Sequence, residues 1–247
     1  MSGPGKPAEG EDAPRGLSRF GHVDAWVFGL DNTLYPRHTN LFDQVDRRIR
    51  SYVERLLSVD AAEAHRVQKD YYRRYGTTLR GLMEEHGIAP DDFLAYVHDI
   101  DHSPVQPDPA LADAIRRLPG RKFIFTNGSR RHAEKIGERL GFTDHFEDIF
   151  DIVRSELLPK PARATYDRFV AATGIDPARA AMFEDLSRNL EVPAALGMRT
   201  VLVVPSPGIR EVLEEDWERE GRDAPYVDYL TDDLAGFLGD ILAAIGR

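Results

Sequence analysis

The chain has 247 residues, 42% of them hydrophobic and 30% charged, which suits one sizeable α/β core with room for a smaller accessory domain. It contains no cysteine, so disulfides, thiolate zinc sites and cysteine nucleophiles are excluded. A formal net charge of −10 argues against nucleic-acid binding, which needs a basic face, although a few local donors can hold an anionic substrate. We expect a cytoplasmic protein without a membrane partner, because no apolar run reaches the ~18 residues of a membrane span.

The N-terminal segment, residues 1–20, is predicted to be a disordered tail. Residues 1–16 are rich in Gly, Pro, Ala and Glu, a composition that buries too little apolar surface to offset the entropy of ordering. They also lack the apolar stretch of a secretory signal.

The rest of the chain alternates apolar runs with helical patterns. Residues 25–30 form the first apolar run and predict a buried strand. Further strands are predicted at residues 122–125, 149–153, 180–183, 200–204 and 226–229. Helices are predicted at residues 108–118, 131–140, 162–173, 189–196, 209–220 and 232–245. This alternation predicts an α/β fold, a Rossmann-like parallel sheet with helices on both faces.

The interval between the first two strands is too long for one crossover helix. It holds roughly 85 residues, far more than such a connection needs. Helical patterns fill it at residues 41–57, 61–75, 79–86 and 91–100. We therefore expect an all-helical cap domain inserted at residues 39–104, with the α/β core formed by residues 21–38 and 105–247.

Four polar segments follow predicted strands, where open α/β sheets place their ligands. They are residues 29–36, the turn at 126–129, Lys160-Pro161 and Glu184-Asp185. A hydroxyl and turn amides before a helix suit a phosphate, a lysine neutralises it, and paired carboxylates suit a hard cation. Each segment alone is also typical of an ordinary turn, a loop lysine or a helix cap.

Together and in this order, the four segments resemble the haloacid dehalogenase superfamily. The first motif of that superfamily reads Asp-x-Asp-x-Thr, and this chain has Gly29-Leu30-Asp31-Asn32-Thr33. The likeness extends from about residue 24 to the end of the chain. The strings at residues 31–36, 75–82, 97–101 and 183–190 are similar to the pyrimidine 5′-nucleotidase-like group.

The resemblance implies magnesium-dependent hydrolysis of a phosphomonoester in two steps. The first aspartate of the motif would attack phosphorus, and Asp31 would protonate the leaving oxygen and then activate water. Thr126, Asn127, Gly128 and Lys160 would hold the phosphate. Mg²⁺ would be bound by Asp31, Asp185 and, through water, Glu184. The implied substrate is a small phosphorylated metabolite, such as a pyrimidine nucleoside monophosphate.

Gly29 departs from the pattern at the position of the nucleophile. Glycine cannot attack phosphorus and removes a carboxylate from the metal site, and loss of a nucleophile can lower turnover on the order of 10⁶-fold. We expect strongly impaired activity and reduced Mg²⁺ affinity. Natural loss, an introduced substitution and a sequence error are the three origins consistent with Gly29. A catalytically dead phosphate- or partner-binding protein is the alternative function, and a haloacid dehalogenase, which needs the same aspartate, is a weaker one.

Three residues of the insert are candidate substrate contacts: Arg80, His98 and Asp101. Such a cap would close over the site and select the leaving group. A structural histidine is the alternative interpretation of His98, and a solvated helix face that of Arg80.

Overall fold

The computed structural model describes residues 16–207 and 216–247. Within these ranges six parallel strands form one sheet in the order β3-β2-β1-β4-β5-β6. The strands are β1 (Ala25–Phe28), β2 (Arg121–Phe125), β3 (Asp148–Phe150), β4 (Ala180–Glu184), β5 (Arg199–Val203) and β6 (Tyr229–Thr231). The predicted parallel, Rossmann-like sheet is confirmed, and β1 lies at its centre between β2 and β4.

Helices cover the sheet and fill the long interval after β1. That interval holds α1 (Leu41–Leu57), α2 (Ala61–Tyr75), α3 (Thr78–His86), α4 (Pro90–Val97) and then the core helix α5 (Pro109–Arg117). The later helices are α6 (Arg130–Leu140), α7 (Arg163–Thr173), α8 (Glu191–Ala195) and α9 (Leu234–Ala244). No helix in the described ranges has both the length and the apolarity needed to cross a bilayer.

Polar side chains fix where several of these helices begin. Each occupies the position before the helix and accepts a hydrogen bond from a backbone N–H of the first turn, which has no partner within the helix. These caps are Asp60 for α2, Thr77 for α3, Asp108 for α5 and Ser129 for α6.

Side chains of the strands alternate between two buried clusters, one on each face of the sheet. On β1, Trp26 and Phe28 belong to a cluster with Leu238 of α9. Val27 belongs instead to the cluster that contains Phe169 of α7. Because successive side chains of a strand point to opposite faces, both faces of β1 are packed and the strand is fully buried.

The inserted helices have an apolar cluster of their own. Val53 of α1, Leu82 of α3 and Phe93 of α4 are buried in it. Ile152, from the connection after β3, is buried in the same cluster. Leu157 of the same connection packs against this cluster too, so these core residues join the packing of the insert to that of the sheet.

The segment before β1 differs from the disordered tail predicted for residues 1–20. Leu17–Phe20 form a 3-10 helix, and Phe20 is fully buried. The ring of Phe20 lies 6.0 Å from that of Trp26 and 5.1 Å from that of Tyr229. The prediction was wrong here because the partner in β6 lies at the other end of the chain. Residues 1–15, the rest of that prediction, lie outside the described residues.

Several boundaries also differ from the prediction. The last strand, predicted at residues 226–229, is Tyr229–Thr231. The helix predicted at 189–196 is a 3-10 helix followed by the short α8. Pro193 has no N–H to donate to the carbonyl of Asn189, which accepts from Tyr166 Oη at 2.8 Å instead. The helix predicted at 209–220 lies largely outside the described residues, and its end, Asp216–Arg219, is a 3-10 helix.

Candidate active site

Position 29 lies directly after β1, at the centre of the carboxyl edge of the sheet. The backbone N–H of Gly29 donates to the carbonyl of Phe183 at 2.8 Å and so extends the pairing of β1 with β4. A Cβ at this position would lie 2.8 Å from Thr33 Oγ1 and 3.3 Å from Glu184 Oε1. A side chain here would therefore point at the acidic end of β4, and glycine brings no carboxylate to that place.

The carboxylate of Asp31 is held by two side chains. Tyr35 Oη donates to Asp31 Oδ1 at 2.6 Å, and His132 Nε2 donates to the same oxygen at 2.9 Å. Burial raises the pKa of Asp31, but the charge and hydrogen bond of His132 and the hydrogen bond of Tyr35 outweigh it, so the pKa lies below its ordinary value. Burial also raises the pKa of Tyr35 well above its usual range, so the phenol remains a donor.

His132 is a site residue that the sequence did not reveal. It is fully buried in the first turn of α6, and its ring stacks on that of His98 with centroids 4.4 Å apart. Its Nδ1 lies 3.4 Å from His102 Nε2. The available signal was a histidine one turn after the turn at 126–129. Spacing could not show that this ring reaches Asp31, because the two residues follow different strands.

The turn after β2 contains Thr126, Asn127 and Gly128. Thr126 Oγ1 accepts a hydrogen bond from the backbone N–H of Gly128 at 2.9 Å. The side chain of Asn127 binds the backbone of Lys160 twice, accepting from its N–H at 2.8 Å and donating to its carbonyl at 3.2 Å. Asn127 thus fixes where Lys160 stands, a contact that the sequence did not indicate.

Lys160 is buried and pairs with the acidic end of β4. Its Nζ donates to the carbonyl of Phe125 at 2.6 Å and to Glu184 Oε1. The Lys160 and Glu184 side chains are 4% and 3% exposed, so the ion pair is removed from water. Glu184 Oε2 accepts from Asn189 Nδ2 and from the backbone N–H of Asp185, each at 3.2 Å. Every oxygen of Glu184 therefore has a partner within the protein.

Asp185 lies beside Glu184 with a weaker set of partners. Asn32 Nδ2 donates to Asp185 Oδ2 at 3.4 Å, and an Arg37 nitrogen lies 3.7 Å from the same oxygen. Burial and the negative charge of Glu184 raise the pKa of Asp185 well above its usual range, and Arg37 only partly opposes them. Arg37 is engaged elsewhere as well, through two hydrogen bonds to Glu218.

A cavity of about 170 Å³ lies between this edge and the insert. All the residues proposed from the sequence for the core part of the site line it: Gly29, Asp31, Thr126, Asn127, Gly128, Lys160, Glu184 and Asp185. Of the three candidate contacts in the insert, His98 lines the cavity. Arg80 pairs with Glu84 on α3 instead, and exposed Asp101 accepts hydrogen bonds from Ser103, so neither lines the cavity.

Comparison with known proteins gives the family. The sequence profile described as "Hydrolase: haloacid dehalogenase-like hydrolase" matches residues 23–197, more than half of the chain. The chain belongs to the haloacid dehalogenase-like hydrolases. Among curated proteins it is similar to "Phosphate metabolism protein 8" of Saccharomyces cerevisiae, with 28% identity over 235 residues, which cover 88% of this chain and 70% of that protein.

Solved structures with haloacid dehalogenase-like folds are similar to the whole chain. L-2-haloacid dehalogenase of Xanthobacter autotrophicus, with chloropropionic acid covalently bound, matches with a TM-score of 0.57 and 16% identity over 90% of this chain and 98% of that one. The HAD-hydrolase YfnB of Bacillus subtilis, bound to magnesium, matches with a TM-score of 0.55 and 13% identity over 91% and 99%. A HAD family hydrolase of Deinococcus radiodurans R1, with bound phosphate and sodium, matches with 0.53 and 18% over 91% and 97%. These likenesses show the fold.

Haloacid dehalogenase-like hydrolases generally use Mg²⁺. The carboxylate and amide oxygens at this edge of the sheet are the type of ligand that this hard cation prefers. Asn32 and Asn189 each direct an amide NH₂ to a neighbouring carboxylate, while their buried Oδ1 atoms have no partner within the described residues. Burial and the negative charge of Glu184 raise the pKa of Asp185, and a cation bound nearby would offset both effects. These oxygen ligands are fewer than a complete Mg²⁺ site needs, because position 29 is glycine and Glu184 is paired with Lys160.

Proposed function

We propose that this haloacid dehalogenase-like hydrolase is a phosphomonoester hydrolase of the pyrimidine 5′-nucleotidase-like group. Its activity is strongly impaired because Gly29 occupies the position of the nucleophile. The observation that carries the proposal is the meeting of Thr126, Lys160, Asp31 and the Glu184-Asp185 pair at one end of the central strands. The phosphate named with the Deinococcus radiodurans relative and the name of the Saccharomyces cerevisiae relative agree with a phosphorylated substrate.

The residues of the edge provide a place for a phosphate. Thr126 Oγ1 and the backbone N–H groups of the turn at 126–128 would donate to its oxygens. The Lys160 ammonium has three donors, and Phe125 and Glu184 take two of them, so one can serve a phosphate oxygen. The buried position of Lys160 strengthens its attraction to that anion, since little water screens it.

Asp31 is the proposed acid and base for the leaving oxygen and for water. Its lowered pKa keeps the carboxylate ionised at neutral pH, the form that accepts a proton from water. Tyr35 and His132 both donate to Oδ1, so they fix the orientation of the group. In a two-step reaction the same carboxyl group must first carry a proton, and a bound ester would have to favour that form.

We propose Mg²⁺ as the cofactor, bound by Asp185, the backbone carbonyl of Asp31 and, through water, Glu184. When bound, the ion would neutralise phosphate charge and balance the charge of the acidic pair. We expect weak binding, because a side chain at position 29 would point at Glu184 and no carboxylate is present there. The proposed substrate is a small phosphorylated metabolite of the pyrimidine nucleoside monophosphate type, and the proposed compartment is the cytoplasm.

The second candidate is a non-catalytic phosphate- or partner-binding protein with the same fold. Gly29 favours it, since every other group of the proposed phosphate site is present without the nucleophile. A haloacid dehalogenase is not favoured, because its covalent step would need the same missing carboxylate and would not require Asp31 or the Glu184-Asp185 pair.

The deciding experiment compares the chain with Gly29→Asp and Gly29→Asn on pyrimidine nucleoside monophosphates and simpler phosphomonoesters with Mg²⁺. Asparagine matches aspartate in size but has no nucleophilic carboxylate. We expect turnover to rise by several orders of magnitude in Gly29→Asp alone. Equal turnover in Gly29→Asp and Gly29→Asn would contradict the proposed role of position 29. Absence of turnover in folded Gly29→Asp would contradict the hydrolase proposal and favour the non-catalytic alternative.

A further inference from the structure

Apolar side chains of the insert line part of the cavity above the sheet edge. Phe42, Val45 and Ile49 of α1 and Phe93 and Leu94 of α4 are among them. Its volume of about 170 Å³ is close to the ~150 Å³ of an engineered apolar cavity that binds benzene. The phosphate would occupy the part of this volume beside Thr126 and Lys160, so the remaining space suits a leaving group no larger than about one ring.

Gln68 of α2 is one of the polar residues that the insert contributes to this wall, along with Asp46 and Lys69. The residue is 2% exposed and lines the cavity. Its Nε2 donates to Asp46 Oδ1 at 2.8 Å and to the Asp46 carbonyl at 3.2 Å. Both partners are acceptors, so the end of the amide that faces Asp46 must be the NH₂ group. The other end is therefore the carbonyl oxygen.

That carbonyl oxygen, Gln68 Oε1, is buried and has no hydrogen-bond partner within the described residues. An unpaired buried acceptor costs roughly 1–3 kcal/mol, so such groups are normally paired. The residue cannot turn its oxygen away without losing both bonds to Asp46. The backbone carbonyl of Gln68 is fixed as well, since Thr78 Oγ1 donates to it at 3.0 Å.

We propose that Gln68 is a specificity-determining residue whose Oε1 accepts a hydrogen bond from the leaving group of the substrate. The substrate class is then a phosphomonoester whose leaving group is no larger than about one ring and carries an N–H or O–H donor. This inference rests on the proposed function, which puts the phosphate at Thr126 and Lys160. An apolar leaving group of the same size would fill the cavity equally well but would leave Gln68 Oε1 without a hydrogen bond.

Binding to the native chain tests the idea without turnover, because position 29 is glycine. Titration calorimetry compares inorganic phosphate, the 2-, 3- and 4-aminophenyl phosphates, and the three tolyl phosphates, in which a methyl group replaces the amino group. We expect the best aminophenyl phosphate to bind roughly five- to tenfold more tightly than its tolyl counterpart, the effect of about one hydrogen bond. Equal affinities in all three pairs would overturn the inference.

Gln68→Met supplies the variant, because methionine keeps the length of the side chain and removes the carbonyl. We expect the amino-to-methyl affinity ratio to fall to about one, with inorganic phosphate affinity unchanged. Gln44→Met is the matched control, since Gln44 binds the backbone of Asp101 on the outside of the insert. A ratio that survives Gln68→Met would overturn the inference. If inorganic phosphate does not bind the native chain at all, the proposed function itself fails. Should Gln68→Met not fold, the native-chain ratio decides.

Discussion

At the scale of single residues, the stability of the metal-free protein depends on whether position 29 brings a second negative charge close to Glu184. A carboxylate at position 29 would start from a Cβ 3.3 Å from Glu184 Oε1. An uncompensated pair at 4 Å is worth about 4 kcal/mol near a protein surface, and Lys160 reduces this by neutralising Glu184. Replacing glycine recovers only roughly 0.5–1 kcal/mol of backbone entropy. We expect the repulsion that remains to outweigh this entropy gain.

We expect Gly29→Asp to lower the thermal unfolding midpoint in the presence of a chelator and to respond to Mg²⁺ with a larger upward shift than the unchanged chain. Gly29→Asn adds the same steric contact with Thr33 without the charge. Thermal unfolding of the three proteins with and without Mg²⁺ measures both effects. If Asp and Asn variants behave alike, charge is not what position 29 controls.

The buried pair of Lys160 and Glu184 makes a second residue-scale prediction. Lys160→Met would leave the Glu184 carboxylate buried without its cation, and such a loss costs roughly 3–5 kcal/mol. Adding Glu184→Gln removes the orphaned charge, so the double variant should recover most of the lost stability. Urea unfolding of the two proteins gives the comparison. A double variant no more stable than Lys160→Met would mean that packing, not charge, dominates.

His98 gives the stability a dependence on pH. Burial, together with the nearby His132, lowers the pKa of His98 to about 3, whereas an unfolded histidine titrates near ~6.5. Below pH ~6.5 the unfolded chain binds more protons than the folded chain. The free energy of unfolding is therefore highest above pH ~6.5 and decreases as the pH falls toward 3. We expect His98→Asn, which can keep a hydrogen bond to Ser129, to unfold with a flatter slope between pH 6.5 and 5. Identical slopes would contradict this.

At the scale of elements, the close approach of α2 and α3 depends on one glycine. A Cβ at Gly81 would lie 2.5 Å from Cβ of Tyr71, far inside van der Waals contact. We expect Gly81→Ala to destabilise the protein, because overpacking costs typically ~1–3 kcal/mol and exceeds the helix-propensity gain. Gly239→Ala in α9 is the control, since, apart from its chain neighbours and the backbone of its own helix, no described atom lies within 4 Å of a Cβ there. That variant should gain roughly 0.5–1 kcal/mol, and chemical unfolding separates the two outcomes.

The elements also show what a sequence reveals. The order of strands and helices follows from local apolar periodicity, so β1, α1 and α2 could be predicted within a few residues. Leu17–Phe20 could not, because Phe20 is buried against rings from β6 and α9. Contacts between distant segments leave no local pattern.

The site divides in the same way. The ends of parallel strands meet by topology, so Asp31, Thr126 and Glu184 could be expected together from sequence. The partners that hold them, such as His132 and the side chain of Asn127, were missed. Their roles depend on side-chain direction across neighbouring strands, which spacing does not encode.

At the scale of the whole molecule, the two edges of the sheet have different neighbours. The candidate site lies at the carboxyl edge, whereas the segment before β1 lies at the amino edge, where Tyr229 Oη donates to the carbonyl of Gly16 at 3.1 Å. Residue 247 lies there as well, since an Arg117 nitrogen donates to its carbonyl at 3.1 Å just before β2.

This arrangement orients the molecule on a surface. A protein immobilised through a linker at residue 247 would present its cavity to the solution, because the whole height of the sheet separates the attachment point from Lys160 and Gln68. We expect the aryl phosphate affinities of tethered protein, followed by surface plasmon resonance, to match those of free protein within about twofold. A linker attached instead at exposed Glu191, at the start of α8, would hold the opposite edge toward the support and should slow ligand entry.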